Sequence, residues 1–179
     1  MNQKNTFVES KLTRRNFLYN SGKIATGSAL AGVALPVVHG QSSDVTKVAL
    51  VGCGGRGTGA ASNALSVSAA NGPTKLVAMA DVFQSKMDQS YNGLVNKHKD
   101  KVDVPKERRF IGFDGYEKAM DALDPGDVVI FTSPCAFRWV HYQYAIKRGL
   151  NVFMEKPVTP DGHSSRKMLE LNEEAKKLN

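Results

Sequence analysis

The apolar run Lys47–Gly52, KVALVG, leads into a loop that carries four glycines within six residues, Gly52 to Gly57. This junction narrows the fold more than any other stretch. An apolar run without polar alternation suits a strand buried on both faces of a parallel sheet. Glycine then permits the tight turn that strand must make, and the Ala- and Ser-rich residues Gly57 to Ala70 read as the helix that follows. Strand, glycine turn and helix in that order open a parallel α/β unit.

The alternation continues along the chain. Gly72-Pro73 marks a turn before a second strand, Lys75–Val82. A polar helix is expected over Gln84–Lys99, a short strand near Arg109–Ile111 and a small helix over Tyr116–Leu123. DVVIFTSP, Asp127–Pro134, is the clearest buried strand. Trp139–Gly149 reads as a helix stopped by its glycine, and Asn151–Pro157 as a fifth strand. A last helix is expected over Asp161–Leu178, with Asp161 as N-cap. The fold class expected for residues 41–179 is α/β, a Rossmann-type doubly wound parallel sheet with helices on both faces.

Gly52, Gly54 and Gly57 fit G-x-G-x-x-G, with Cys53, Gly55 and Arg56 between them. The motif alone is weak, because glycine-rich turns produce it by chance. Here a buried strand precedes it, a helix follows, and an acid, Asp81, closes the next strand 24 residues after Gly57. In a dinucleotide cradle the first glycine makes the turn, the second lets a pyrophosphate approach, and the third allows close helix packing. The helix N-terminus offers free N–H groups to the phosphates. Asp81 would accept hydrogen bonds from a ribose diol and repel a 2′-phosphate, which favours NAD over NADP. A purely structural turn is the competing reading. Arg56 either lies over the pyrophosphate or adenine or points to solvent; reaching the 2′ position would soften the NAD preference.

The formal charge of +7 does not indicate nucleic acid. Residues 1–40 hold Lys4, Lys11, Arg14, Arg15 and Lys23 against Glu9, so they carry +4 of it. The basic run Lys97–Arg109 is broken by acids and lacks interleaved aromatics, as a solvated face does. The same first forty residues have the layout of an export signal: a basic segment, a modestly apolar stretch rich in Gly and Ala, and a small residue near Gly40. Arg14-Arg15 with Phe17 close behind resembles the twin-arginine signal, which implies a periplasmic or secreted protein exported folded. The apolar stretch is too short and interrupted for a stable membrane span. Cys53 and Cys135 imply no disulfide framework, though a bond between them is conceivable, and His39, His141 and His163 show no metal-ligand spacing. His141 reads as a helix-surface residue.

VALVGCGGRGTGA, LVAMADV, DVVIFTSP and GLNVFMEKPV together resemble the Gfo/Idh/MocA oxidoreductases, over about residues 45–179. The resemblance implies that Gly52, Gly54 and Gly57 hold the pyrophosphate of NAD and Asp81 the adenosine ribose, with Gly55 and Arg56 counted among the cofactor-binding residues. Thr132, Ser133 and Pro134 would line the nicotinamide ribose. Glu155 and Lys156 would stand beside the nicotinamide, Lys156 reaching the substrate hydroxyl as the catalytic residue. Arg138 departs from the pattern, since many relatives carry a His there. The resemblance further implies a sugar or polyol substrate and a tightly held cofactor. Secreted relatives include NAD-dependent glycosidases that work by oxidation and elimination. Family members continue into a second α/β domain that forms the substrate face and would carry any homo-oligomer contact. The chain is therefore expected to be a fragment that binds a dinucleotide and is incomplete as a catalyst, a bare dinucleotide-binding module being the alternative.

Overall fold

The computed structural model describes residues 45–67 and 72–178; the expected export signal lies outside them. Five strands form one sheet: β1 (Thr46–Val51), β2 (Thr74–Asp81), β3 (Arg109–Ile111), β4 (Val128–Phe131) and β5 (Asn151–Met154). All pairings are parallel and the strand order is β3-β2-β1-β4-β5. Among the described residues five α-helices accompany them: α1 (Gly55–Leu65), α2 (Gln84–His98), α3 (Gly115–Asp121), α4 (Arg138–Lys147) and α5 (Gly162–Ala175).

The apolar runs bury both faces of the sheet, as their lack of alternation requires. Val48 and Leu50 of β1 join Ala61 and Leu65 of α1 and Met87 and Leu94 of α2 on one face. Ala49 and Val51 join Ala119 and Met120 of α3 and Ala145 of α4 on the other. A register shift between Val48 and Ala49 lets Val77 and Ala78 of β2 lie on that second face together. Helix α5 rests on α4 through Met168, Leu171 and Ile146. Its N-cap is Asp161, whose Oδ1 accepts from the Ser164 N–H at 2.8 Å.

The elements follow the expected order, and several ends differ. Helix α1 begins at Gly55, inside the glycine loop, and closes at Leu65 rather than Ala70. The Ser66 hydroxyl donates to Ser62 O, and Lys101 Nζ donates to Leu65 O at 2.6 Å. Those bonds take up carbonyls that a longer helix would use. Strand β4 ends at Phe131; the Thr132 N–H makes one more bond, to Val51 O, before the chain turns away toward a short 3₁₀ turn at Cys135–Phe137.

From β1 the chain runs through β2 to β3 on one side, then returns to place β4 on the other. The turns after β1 and β4 therefore leave in opposite directions, α1 to one face and α4 to the other. The crevice between them at the carboxyl ends of the strands is where open α/β sheets take their ligands.

Candidate dinucleotide site

The glycine loop is fixed mainly through its own backbone. The Gly52 N–H donates to Ala80 O at 2.8 Å, and the Thr132 hydroxyl donates to Gly52 O at 2.6 Å. Gly52 has φ +96°, and a Cβ there would lie 2.5 Å from Ser133 N. A Cβ on Gly57 would lie 2.0 Å from Gly52 O and 2.5 Å from Thr132 Oγ1. Both positions admit glycine alone, for reasons internal to the fold. Gly54 is different: a Cβ there would meet nothing within 4 Å. Space is thus kept open beside the backbone at the start of α1, a helix with no side-chain cap bond and no acid in its first turn. Its leading N–H groups and positive dipole end are available to an anion. These residues fit a bound pyrophosphate.

Asp81 closes β2 and reaches into the same loop. Its Oδ2 accepts from the Cys53 N–H at 2.5 Å and its Oδ1 from the Phe83 N–H at 2.9 Å. Each oxygen retains acceptor capacity for a further hydroxyl, so the carboxylate anchors the loop and can still accept from a donor in the crevice. Cys53 packs inward with its thiol 3.5 Å from Ala80 O, and burial, aided by Asp81, pushes that thiol well above its ordinary range. Cys53 and Cys135 are both free thiols.

Arg56 turns toward β5. Its guanidinium lies 3.7 Å from Glu155, its side chain 69% exposed and that of Glu155 17%. The cation therefore stands on the opposite side of β1 from β2, which bears Asp81. The pair joins the glycine loop to the segment Glu155-Lys156-Pro157, whose Lys156–Pro157 peptide is cis. The Glu155 N–H continues the ladder to Phe131 O at 3.0 Å, whereas Lys156 and Pro157 are exposed. Beside the Arg56–Glu155 pair a groove of about 630 Å³ runs along α1, bordered by Gly59, Asn63, Ile130 and Phe153.

Two residues that sequence reasoning did not place in the site underlie it. Arg138, at the first position of α4, is only 4% exposed. Its Nε donates to Ser133 O at 2.8 Å and its Nη1 to Pro157 O at 2.7 Å, so one guanidinium joins the turn after β4 to the turn after β5. Burial lowers its pKa from the ordinary value, an effect opposed by nearby Cys135 and Glu155. His141 is buried rather than on the helix surface. Its Nδ1 lies 3.2 Å from Ser133 Oγ, and its ring stacks on Tyr116 with centroids 4.2 Å apart. Burial, with Arg138 close by, pushes its pKa down to about 4, so the ring is neutral near pH 7. The usable signal is spacing: Arg138, His141 and Ala145 share the buried face of α4.

The residues proposed from sequence are thus brought together in two groups. Gly52, Gly54, Gly55, Gly57, Asp81 and Thr132 form the loop and its anchors, while Ser133, Pro134, Glu155 and Lys156 lie on the two turns joined by Arg138. Of the basic run, Arg109 lies over the Tyr91 ring at 3.3 Å and Lys101 caps α1, both engaged within the fold.

The family model for the GFO_IDH_MocA oxidoreductases, described as an NAD-binding Rossmann fold, matches residues 46–178. No curated protein matches in sequence. Among solved structures, the myo-inositol 2-dehydrogenase of Lactobacillus plantarum superposes with a TM-score of 0.53 at 20% identity, over 72% of this chain and 33% of its own. The WlbA dehydrogenase of Chromobacterium violaceum, in complex with NADH and UDP-GlcNAcA, gives 0.55 at 21%, over 79% and 36%. The scyllo-inositol dehydrogenase of Lactobacillus casei, with NAD(H) and scyllo-inositol, gives 0.50 at 24%, over 72% and 34%. The chain spans about a third of the length of these proteins.

Proposed function

The chain belongs to the Gfo/Idh/MocA family of NAD-binding oxidoreductases, and from that premise we propose that the protein oxidises a hydroxyl of a sugar or polyol with NAD held at the carboxyl edge of this sheet. The observation that carries the proposal is the open space beside Gly54 at the uncapped start of α1, flanked by two glycines that the fold itself demands. When bound, the nicotinamide supplies the hydride acceptor. The chain's own groups do the rest. Amides at the start of α1 receive the pyrophosphate, and Asp81 accepts from the adenosine ribose hydroxyls while disfavouring a 2′-phosphate. Thr132, Ser133 and Pro134 border the nicotinamide ribose. Lys156 Nζ stands at the substrate oxygen and stabilises the alkoxide that develops there as the hydroxyl proton passes to the solvent to which this turn is open. The inositol and sugar-nucleotide ligands of the structural relatives support a polyol or sugar as substrate.

Titration calorimetry of the 179-residue chain tests the core of this reading. NAD binds more tightly than NADP, and Asp81→Ala lowers NAD affinity by about 1–3 kcal/mol, the range for a lost charged acceptor. Absence of NAD binding, or affinity indifferent to Asp81, overturns it. We also propose export through Arg14-Arg15, which requires the cofactor to stay bound and be regenerated in each turnover. Secretion unimpaired by changing both arginines to lysine would refute that route.

A further inference from the structure

Three cations and one anion lie around the two turns that would border the nicotinamide: Arg56, Arg138 and Lys156 against Glu155. They are not equivalent. Arg56 is exposed and paired with Glu155, and Lys156 is exposed, so solvent and counterions screen both. Arg138 is buried, and among the described residues no carboxylate forms an ion pair with it. Its two hydrogen bonds go to neutral backbone carbonyls of Ser133 and Pro157. Its buried neighbour His141 is neutral near pH 7 and adds no second positive charge beside it. Glu155 is the carboxylate that acts on it, and Glu155 is shared with Arg56. A positive charge in this position is poorly screened and acts across the protein interior.

The nicotinamide ring is cationic when oxidised and neutral when reduced. We propose that Arg138, beyond clasping the two turns, makes this site hold the reduced dinucleotide in preference to the oxidised form. The inference rests on the proposed placement of the dinucleotide and adds what the site does to it: positive charge that no ion pair neutralises disfavours the cationic ring and leaves the neutral one untouched. The same charge draws hydride toward the bound cofactor. A clasp without an electrostatic role would affect both forms alike, so the ratio of the two affinities isolates the charge.

The test is the pair of dissociation constants for NAD+ and NADH, measured on the 179-residue chain in one buffer by calorimetry. Wild type binds NADH more tightly. Arg138→Met reduces that preference on the order of tenfold, the effect expected for removal of a unit charge inside a protein. Arg138→Lys retains most of it, since the charge remains. Glu155→Gln moves it the other way and widens the preference. A ratio unchanged in Arg138→Met, even with both affinities weakened, overturns the inference while leaving dinucleotide binding intact. If Arg138→Met does not fold, Glu155→Gln decides alone: an unchanged or narrowed ratio refutes the proposal. Failure of wild type to bind either form removes the dinucleotide reading itself, and this inference with it.

Discussion

The loop after β1 and the segment after β5 face one crevice, yet they are held in different ways. Gly52–Gly57 is held at its own main-chain atoms with no room to spare: the Gly52 amide on Ala80 O, its carbonyl under the Thr132 hydroxyl, the Cys53 amide on the Asp81 carboxylate, and two positions where a Cβ would strike main chain. Glu155–Pro157 has one ladder bond and is held otherwise by side chains, Arg56 on Glu155 and Arg138 on Pro157 O. The difference matches the two tasks. A pyrophosphate is the same in every turnover and is best met by a preset backbone. The end proposed to meet the substrate presents its Lys156 in the open, on a support built from replaceable side chains.

The contrast breaks most decisively at the glycines. Gly57→Ala forces a Cβ against Gly52 O and should cost about 3 kcal/mol or more of stability, read as a shifted denaturant midpoint. Gly54→Val places its side chain in open space with an extended backbone, φ −69° and ψ 179°, and should cost less than about 1 kcal/mol. The same valine fills the space kept for the pyrophosphate, so NAD binding should be lost from a folded protein. Comparable stability losses in the two variants would show that Gly54 is a packing glycine like its neighbours.

A second measurement separates side-chain support from backbone support by pH. His141 bonds Ser133, on the turn that Arg138 holds, and its folded pKa of about 4 lies below the ordinary 6.5. The unfolded chain therefore binds the extra proton between these values, and stability falls as pH is lowered through that window. The contribution is complete above about pH 6.5 and on the order of 3 kcal/mol. His141→Asn keeps an acceptor toward Ser133 without a titrating ring, and should flatten the stability profile between pH 6.5 and 4. A profile as steep as that of wild type would place the acid sensitivity elsewhere.

What the chain disclosed in advance follows the same division. The glycine loop, its flanking strand and helix, Asp81 and the Asp161 cap were legible because each depends on neighbours a few residues away. The parallel α/β class of the sheet follows from the alternation of short apolar runs and helices. The end of α1 was not legible, since the group that takes up the Leu65 carbonyl, Lys101, comes 36 positions later. His141 was misplaced, and Arg138 was left without a role, for a related reason. A cation and an imidazole in the first turn of a helix ordinarily face water, and only the meeting of two distant turns gives them buried partners. The glycines that the fold demands and the one it leaves open were also indistinguishable in the motif; the separation appears only when Thr132 and Ser133 are seen against Gly52 and Gly57.

The smallest expected effect gives the sharpest test of the exposed end. Lys156 lies in the open and forms no ion pair among the described residues, so Lys156→Gln should alter stability by no more than about 0.5 kcal/mol, the range for an exposed side chain. NAD affinity should change little, because the groups assigned to the pyrophosphate and adenosine ribose lie on other elements. A residue that costs the fold almost nothing, placed between a buried clasp and an ion pair that orient its neighbours, is free to serve a third molecule. A marked loss of stability in Lys156→Gln would instead mean that the turn after β5 depends on it. The two loops would then no longer differ in kind, and Lys156 would count among the supports of the site.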